Sequence, residues 1–501
     1  MLRSKKSNSP VILAIDQGTT GTKAVLLDSR LKVLGEASRE FPQYFPRPGW
    51  VEHDLEEIYT SVASAVRAVL EETRVQLSRI AAIGITNQRE TTAVWDKQSG
   101  KAVHRAIVWQ DRRTADECLK LQRAGLEKDF QKKTGLRLDP YFSGTKLAWI
   151  LKEVSGARKK AETGKLLFGT IDTYLAWRMT GGASHVTDIS NASRTLLMDL
   201  ESCDWSSDLL KVFRVPPALL PEIRANDTVF GHTRGSSFLP DGIAIASVIG
   251  DQQSALFGQA CFSAGEAKCT YGTGAFLVMN TGQKIVRSQH GLLSTAAWKI
   301  KDNPFYALEG STFIAGAIVQ WLRDGLGLVR SSEEIEALAR SVKDSEGLVL
   351  VPALTGLGAP HWRPEAKGFL TGITRGTSGG HVARAALEGI AFQIHDLVRA
   401  MEQDLGRPIK ALKVDGGAAR NDLLLQFQAD VLGSSIVRPR ITSTTALGTA
   451  LLAGLTVGLF ASQGVIKKVW EEERRFLPRM GARERAQRVE RWNEALEKAV
   501  N

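Results

Sequence analysis

The sequence predicts an α/β protein built from two related lobes that face one another. Short apolar runs typical of strands alternate with longer segments of helical periodicity, as at residues 80–86 and 55–74. A turn rich in glycine and threonine separates two strand-like runs near the start of the chain, at residues 17–23, and again at 272–274. The 501 residues, 43% hydrophobic and 24% charged, suffice for two domains.

The first half of the chain is predicted to open with a β-hairpin. Residues 11–15 and 24–28 are strand-like and flank the turn. The elements that periodicity predicts after this hairpin are a helix at 55–74, strands at 80–86 and 91–95 on either side of a turn at 87–90, and a helix at 114–133.

The second half repeats this theme beyond a proline-rich connection at residues 215–221. An apolar run ends at Gly250 and Asp251, and a strand-turn-strand pattern follows at 269–279. The later predicted elements are a strand at 411–414, a turn at 415–417 and an amphipathic helix at 421–431. We expect the boundary within 251–265, and assign residues 1–255 to the N-terminal lobe and 256–501 to the C-terminal lobe.

The net charge of +11, from 65 basic and 54 acidic residues, does not by itself indicate a nucleic-acid partner. Basic residues are interleaved with acidic ones, as at 471–475 and 483–491, which is typical of solvated helix faces. We therefore expect no nucleic acid among the ligands, and at most a weak attraction for small anions.

Two observations bear on where the protein works. The four cysteines have no CxxC spacing, which favours neither a disulfide framework nor a zinc site and leads us to expect a cytoplasmic protein. Residues 441–466 carry no charge and are long enough to span a bilayer, but they are rich in Thr, Ser and Gly. We predict a buried, closely packed helix at 446–459 and no membrane span.

Glycine-rich turns predict phosphate binding, although the two common fingerprints, GxxxxGK[ST] and GxGxxG, are missing. Residues 16–23 instead read Asp-Gln-Gly-Thr-Thr-Gly-Thr-Lys directly after a strand. An aspartate at a strand end suits a magnesium ion held through water, and Thr19, Thr20 and Lys23 suit phosphate oxygens. A polar hairpin tip without a ligand remains the alternative.

Two further turns strengthen this interpretation. Residues 271–274 form a second turn of the same kind, and the glycines at 416–417 would let a flat adenine lie against the backbone. Each turn alone has an ordinary structural explanation. Together with Asp16 and Asp251 at strand ends, they favour a two-lobed nucleotide clamp.

Several segments together resemble the FGGY family of carbohydrate kinases. They are residues 16–20, 86–91, 108–114, 139–146, 250–253 and 271–274. The resemblance extends in order from about residue 10 to 480. It implies two actin-like (ribonuclease H-like) ATPase lobes with a catalytic cleft between them, and an ATP- and Mg²⁺-dependent phosphorylation of glycerol to sn-glycerol 3-phosphate. It also implies a homo-oligomer, a dimer or tetramer.

The same resemblance assigns roles to individual residues. Glycerol would be bound by Arg89, Glu90, Trp109, Tyr141, Asp251, Gln252 and Phe276, with the two bulky rings Trp109 and Phe276 as an apolar wall. The nucleotide would be bound by Thr19, Thr20, Gly21, Lys23, Thr273, Gly316, Gln320, Gly417 and Asn421, and magnesium by Asp16 and Asp251 through water. Asp251 is the expected base.

Some of these residues have plainer explanations. Arg89 and Glu90 would also suit a surface ion pair, and Asp251 a helix N-cap, which does not exclude catalysis. Lys23 stands where many members of the family have arginine. Residues 231–237 lack the glycine-rich pattern of a sugar-bisphosphate loop, so we predict no sensitivity to fructose 1,6-bisphosphate.

Three other functions fit single features of the sequence. Residues 376–380 match a GxSxG nucleophile elbow, but the acid and histidines available after Ser378 would all lie on one helix, so we interpret Ser378 as a turn or cap residue. A non-enzymatic nucleotide-binding protein of the actin or chaperone class would share the clamp but not the acceptor pocket. It would not require the predicted pocket residues Arg89, Glu90, Trp109 and Tyr141. A kinase for another polyol or sugar is the closer alternative.

Overall fold

The computed structural model of the chain describes residues 9–500. Two mixed β-sheets, one from each half of the chain, form its framework. The N-terminal sheet has the order β5-β6-β4-β1-β2-β3, where the strands are β1 Val11–Gln17, β2 Gly21–Asp28, β3 Val33–Glu40, β4 Ile80–Asn87, β5 Gly231–His232 and β6 Ala244–Gly250.

The C-terminal sheet repeats this topology and extends it. Its order is β9-β10-β8-β7-β11-β12-β13, with β7 Ala267–Tyr271, β8 Ala275–Gly282, β9 Leu293–Ile300, β10 Asn303–Thr312, β11 Ala411–Asp415, β12 Ser435–Pro439 and β13 Glu472–Phe476. An antiparallel run of three strands in the N-terminal sheet, and of four in the C-terminal sheet, is followed in each by two parallel strands. The two related lobes that the sequence predicted are therefore present, with the mixed α/β architecture expected of them.

Helices cover both faces of the sheets. They comprise Leu55–Thr73, Ala115–Arg123, Glu127–Thr134, Ser143–Glu153, Ala157–Glu162, Ile171–Met179, Ile189–Ala192, Ser207–Phe213, Asp251–Gly258, Gly316–Asp324, Glu334–Arg340, Gly379–Leu405, Asp422–Leu432, Thr444–Thr456, Gln463–Val469 and Ala482–Val500. Five two-stranded ribbons complete the fold, at Glu52–His53 with Ala106–Ile107, Ala93–Asp96 with Leu166–Gly169, Val186–Asp188 with Glu222–Arg224, Met198–Asp199 with Asp204–Trp205, and Val349–Val351 with Phe369–Thr371.

Strand β1 shows why these runs form buried strands. Its alternate residues Val11, Leu13 and Ile15 belong to one hydrophobic cluster, and Ile12 and Ala14 belong to another. Because successive side chains of a strand point to opposite faces, a run of five apolar residues is expected where both faces are covered.

Helix Thr444–Thr456 is the buried, closely packed helix that the sequence predicted, shifted by two to three residues. It contacts β1, β4 and β6 of the N-terminal sheet and helix Asp251–Gly258. A Cβ on Gly448 would overlap the carbonyl oxygen of Ser254, so the contact requires glycine. No helix within residues 9–500 combines the length and apolarity that a membrane span requires.

Other predicted elements differ in detail. The single helix predicted at 114–133 is two helices, because residues 124–126 turn between Arg123 and Glu127. The lobe boundary predicted after residue 255 falls inside helix Asp251–Gly258 and stays a prediction. Ser378 is the N-cap of helix Gly379–Leu405 in a capping box with His381, as its interpretation as a cap residue anticipated.

Candidate active site

The carboxyl ends of three neighbouring strands bring the main polar side chains together. Strand β4 runs parallel to both β1 and β6, in a register that pairs Asp16 with Thr86 and Gly250 with Asn87. The residues that follow these strand ends, Arg89 and Asp251, therefore meet at the edge that carries Asp16.

The turn after β1 is tight. The Gly18 N–H donates to the Gly21 carbonyl at 2.9 Å, and Asp16 lies opposite Lys23 in the hairpin register. Thr20 is exposed at the tip, while Gly18 and Thr19 are half-buried. Backbone amides and threonine hydroxyls at such a turn can donate to an anion.

Asp251 begins helix Asp251–Gly258 and lies against Arg89. Its Oδ1 accepts from the Gln252 N–H at 2.7 Å and lies 3.1 Å from Arg89 Nε. Within residues 9–500 its second oxygen, Oδ2, has no hydrogen-bond partner, and the side chain is 29% exposed. One oxygen is thus held in place, and the other is left for a ligand.

Two carboxylates share this end of the cleft. Burial and the nearby charge of Asp251 raise the pKa of Asp16 from its ordinary 3.8 to about 7, and Lys23 opposes the shift. An aspartate in this situation has a strong tendency to acquire a proton or a cation. No group of three or more His, Cys, Asp or Glu side chains in the described chain is placed to hold a metal ion, so two carboxylates are what the site offers.

Four buried charged residues, which we call the ion cluster, lie beneath this site: Arg89, Glu90, Arg194 and Glu309. Arg89 Nη1 and Nη2 donate to Glu309 Oε2 and Oε1 at 2.5 and 3.0 Å. Arg194 Nη2 donates to Glu309 Oε1 at 2.9 Å, and its Nε donates to Glu90 Oε1 at 2.6 Å. All four side chains are at most 2% exposed, so none of them is a surface charge.

The electrostatics of the ion cluster are those of mutual neutralisation in a buried site. Burial raises the pKa of Glu90, opposed by the two arginines. Burial also acts to raise the pKa of Glu309, but the charges of Arg194 and Arg89 outweigh it and bring that pKa to about 2. The backbone of Glu90 has φ +62°, a left-handed conformation that is uncommon outside glycine.

An aromatic wall bounds the site on one side. The Trp109 ring centroid lies 5.6 Å from that of Tyr141 and 6.5 Å from that of Phe276, both in edge-to-face arrangements. The Trp109 Nε1–H donates to Thr19 Oγ1 at 2.9 Å. Trp109 thereby joins the N-terminal glycine turn to Phe276, which lies on β8 in the C-terminal lobe.

The predicted nucleotide-binding residues of the C-terminal half lie around the glycine turns that follow β7 and β11. The Gly316 N–H donates to the Gly272 carbonyl at 2.9 Å, which fixes the start of helix Gly316–Asp324 against the second glycine turn. A Cβ on Gly416 would overlap the Tyr271 carbonyl oxygen, and Gly416 has φ +90°. The second and third glycine turns therefore pack directly on each other.

Other predicted nucleotide-side residues lie around these turns. Thr273, Gln320 and Gly417 are exposed, and a Cβ on Gly417 would meet nothing within 4 Å, which leaves room for a flat ring. Asn421 is the N-cap of helix Asp422–Leu432 and accepts from the Leu424 N–H at 2.9 Å. Its side-chain oxygen thus has a structural role, and its amide nitrogen remains available as a donor.

Lys23 differs from the expectation that it points at phosphate oxygens. Its Nζ lies 3.7 Å from Glu36 Oε1 and donates to Ser443 Oγ at 3.4 Å. Both contacts are weak, and the side chain is 34% exposed, so a phosphate role for Lys23 stays a prediction.

Residues that the sequence analysis missed complete the site. Glu309 and Arg194 form half of the ion cluster, and Lys268, fully buried, donates to Gln252 Oε1 at 2.5 Å and to Thr270 Oγ1 at 2.9 Å. The only local signal for Glu309 and Lys268 was a charged residue inside an otherwise apolar strand.

Comparisons with known proteins agree with this architecture. Models of the FGGY family of carbohydrate kinases match residues 11–258 (N-terminal domain) and 267–457 (C-terminal domain). The chain is 56% identical over 490 residues to a glycerol kinase of Myxococcus xanthus (strain DK1622), covering 97% of this chain and 99% of that one.

Solved structures are similar over almost the whole chain. A Plasmodium falciparum glycerol kinase with ADP superposes with a TM-score of 0.92 at 37% identity, covering 98% of this chain and 99% of that chain. A xylulose kinase from Lactobacillus acidophilus gives a TM-score of 0.87 at 22% identity and 97% coverage of both chains, which shows the shared fold.

Proposed function

This chain belongs to the FGGY family of carbohydrate kinases, and we propose that it transfers the γ-phosphoryl group of ATP to glycerol, giving sn-glycerol 3-phosphate and ADP. Glycerol kinases at 56% and 52% identity over nearly the full length support the choice of acceptor. The single observation that carries the proposal is Asp251, held by Arg89 through one oxygen, while its other oxygen has no hydrogen-bond partner within residues 9–500.

The acceptor pocket suits an uncharged polyol. Arg89 and Glu90 offer a donor and an acceptor whose charges are already balanced within the ion cluster, so a neutral ligand leaves no buried charge unpaired. Trp109 and Phe276 would pack against the carbon edge of the ligand. Hydroxyl groups placed against paired donors and acceptors give the selectivity that an apolar pocket alone lacks.

The chemical step requires one proton to move. As the new O–P bond forms and the bond from the γ-phosphorus to the β,γ-bridging oxygen breaks, Asp251 takes the proton of the attacking hydroxyl. ADP is the leaving group. Phosphoryl transfer gains most from the alignment of the reacting groups. The contacts of Asp251 with Arg89 and with the Gln252 N–H would hold its carboxylate in position for the attacking hydroxyl.

The nucleotide would occupy the facing glycine turns. Thr19, Thr20 and Thr273, which are exposed or half-buried, would donate to phosphate oxygens, and the adenine would lie against Gly417, where a Cβ would meet nothing within 4 Å. Asp16 and Asp251 fit a magnesium ion, which usually takes one or two carboxylates together with substrate phosphates. When bound, this ion supplies positive charge to the transferring phosphoryl group.

The direct test replaces Asp251 by Asn. We expect phosphoryl transfer to glycerol to fall by about 10²–10⁴, the usual contribution of a general base, while the Kd for ATP changes little. Coupled assay of ADP release and calorimetry of nucleotide binding give the two quantities.

Asp54→Asn is a matched control. Asp54 also accepts backbone N–H groups at the start of a helix, and asparagine caps a helix equally well, so normal turnover is expected. Substantial turnover in Asp251→Asn would contradict its role as base. Wild-type rates with a pentulose or gluconate above the rate with glycerol would reassign the acceptor, and ADP release independent of any acceptor would indicate a bare ATPase.

A further inference from the structure

We propose that Glu309 is a positioning residue for acceptor binding: a carboxylate of the C-terminal lobe that orients Arg89 and, through Arg194, Glu90. This inference rests on the proposed function, because it concerns the same acceptor pocket. Neither Glu309 nor Arg194 was among the residues expected to form the site.

Glu309 accepts three hydrogen bonds from two arginines. It lies on β10, and its Oε1 accepts from Arg89 Nη2 at 3.0 Å and from Arg194 Nη2 at 2.9 Å. Its Oε2 accepts from Arg89 Nη1 at 2.5 Å. A paired fork of this kind fixes the plane of the Arg89 guanidinium, which a single contact would not do.

Each arginine uses its remaining edge for a carboxylate of the acceptor pocket. Arg89 Nε lies 3.1 Å from Asp251 Oδ1, and Arg194 Nε donates to Glu90 Oε1 at 2.6 Å. Glu309 therefore anchors two series of contacts. One runs through Arg89 to Asp251, the proposed base, and the other runs through Arg194 to Glu90, which is expected to bind the acceptor. A small displacement of Glu309 would move both ends together.

The anchor belongs to the opposite lobe. Arg89, Arg194, Glu90 and Asp251 come from the N-terminal half of the chain, whereas Glu309 is 220 residues from Arg89 and lies in the C-terminal sheet. The acceptor pocket is therefore fully oriented only when the two lobes are docked. Acceptor binding and the arrangement of the lobes are thus linked through one carboxylate.

A purely structural ion pair is the alternative explanation. Buried charge clusters often add little net stability, although breaking one is destabilising. Under this explanation, a broken ion cluster would lower stability without a selective effect on glycerol binding. Thermal stability alone does not separate the two explanations. The kinetic constants for glycerol and ATP separate the two explanations. Loss of a positioning residue changes the constants for glycerol selectively, whereas a general loss of stability affects neither substrate selectively.

The experiment compares Glu309→Gln with wild type in steady-state assays with both substrates varied. We expect kcat/KM for glycerol to fall by about 100-fold, as for displaced positioning groups, while KM for ATP stays within roughly threefold. Glu309→Asp retains the charge on a shorter side chain and should recover part of the loss.

The matched control is Glu388→Gln. Glu388 is also a buried carboxylate of the C-terminal half with two arginines, Arg384 at 3.0 Å and Arg488 at 3.5 Å, but it has no contact with the acceptor pocket. This variant should lose stability and keep the KM for glycerol. If Glu309→Gln does not fold, Arg194→Lys gives a second test, because lysine keeps the charge but not the two-sided fork, and a roughly tenfold higher KM for glycerol is expected.

Three outcomes decide the matter. A selective loss on glycerol in Glu309→Gln or Arg194→Lys supports the inference. Unchanged glycerol constants, or equal losses for glycerol and ATP, would overturn it while leaving the activity of the wild type intact. A wild-type protein that does not phosphorylate glycerol would overturn the proposed function and this inference with it.

Discussion

Individual residues at the cleft are defined by the charges around them more than by their own chemistry. Asp16 and Asp251 are both aspartates at strand ends, yet Asp251 is anchored by Arg89 while Asp16 has its pKa raised to about 7 by burial and by Asp251. These surroundings agree with the proposed roles, in which Asp251 is the base and Asp16 holds a cation. The burial of Asp16 and the guanidinium beside Asp251 distinguish the two side chains.

The raised pKa of Asp16 predicts a pH-dependent stability. In the folded protein Asp16 keeps its proton up to about pH 7, whereas in the unfolded chain it releases it near 3.8. The unfolded state therefore binds fewer protons between these values, and the free energy of unfolding falls as pH rises from about 4 to 7. Above about pH 7 Asp16 is ionised in both states, so its effect on the free energy of unfolding no longer changes with pH.

Asp16→Asn should remove this loss. Without magnesium we expect the variant to be more stable than wild type at pH 8 by on the order of 1–2 kcal/mol, allowing for screening in an open cleft. The difference should shrink toward pH 5. Urea unfolding at pH 5, 6 and 8 measures it, and a difference independent of pH would contradict the assignment.

Among the helices and strands, the contact of two helices bears on where Asp251, the proposed base, lies. Helix Thr444–Thr456 crosses helix Asp251–Gly258 at Gly448, where the Ser254 carbonyl leaves no space for a side chain. Asp251 begins the second of these helices. The packing of a helix distant in the chain therefore bears on the position of the Asp251 carboxylate.

Gly448→Ala tests this dependence. We expect a loss of about 2–3 kcal/mol from overpacking and a lower kcat, because the helix that carries Asp251 must shift. Gly464→Ala is the control: its Cβ would meet only Ser462 Oγ at 3.5 Å, and a helical glycine replaced by alanine should gain up to about 1 kcal/mol. Urea unfolding and steady-state assays measure both, and an unaltered kcat in Gly448→Ala would be evidence against the coupling.

At the scale of the whole molecule, the two lobes share a hydrophobic cluster. It contains Ile12 and Ala246 of the N-terminal sheet, Val278 and Trp298 of the C-terminal sheet, and helix Thr444–Thr456 between them. The ion cluster crosses the same junction. Each lobe also has a hydrophobic cluster of its own, and the shared cluster joins the two through buried contacts.

We therefore expect the lobes to unfold together. Calorimetry of the wild type should show one transition, and Trp298→Ala, which removes a fully buried side chain, should lower its midpoint at a cost of about 3–5 kcal/mol. Far-ultraviolet circular dichroism should follow the same curve. A variant with one lowered and one unchanged transition would show that the lobes unfold independently.

The sequence alone determined the local features of this protein. Strand periodicity and glycine turns predicted the β1–β2 hairpin, the turn after β7, and the placement of Asp16 and Asp251 at strand ends, because each depends on residues close in the chain. The meeting of Arg89 and Asp251 agreed with the family resemblance, and the carboxyl ends of adjacent parallel strands explain it.

The tertiary structure alone decided which distant charges complete the site. Arg89 and Glu309 are 220 residues apart, and Arg194 and Glu309 are 115 apart, so no periodicity or turn preference connects them. The same holds for Lys23, whose contact with Ser443 spans 420 residues. Buried charges must find partners wherever the fold brings them together, and that requirement acts in space and not along the chain.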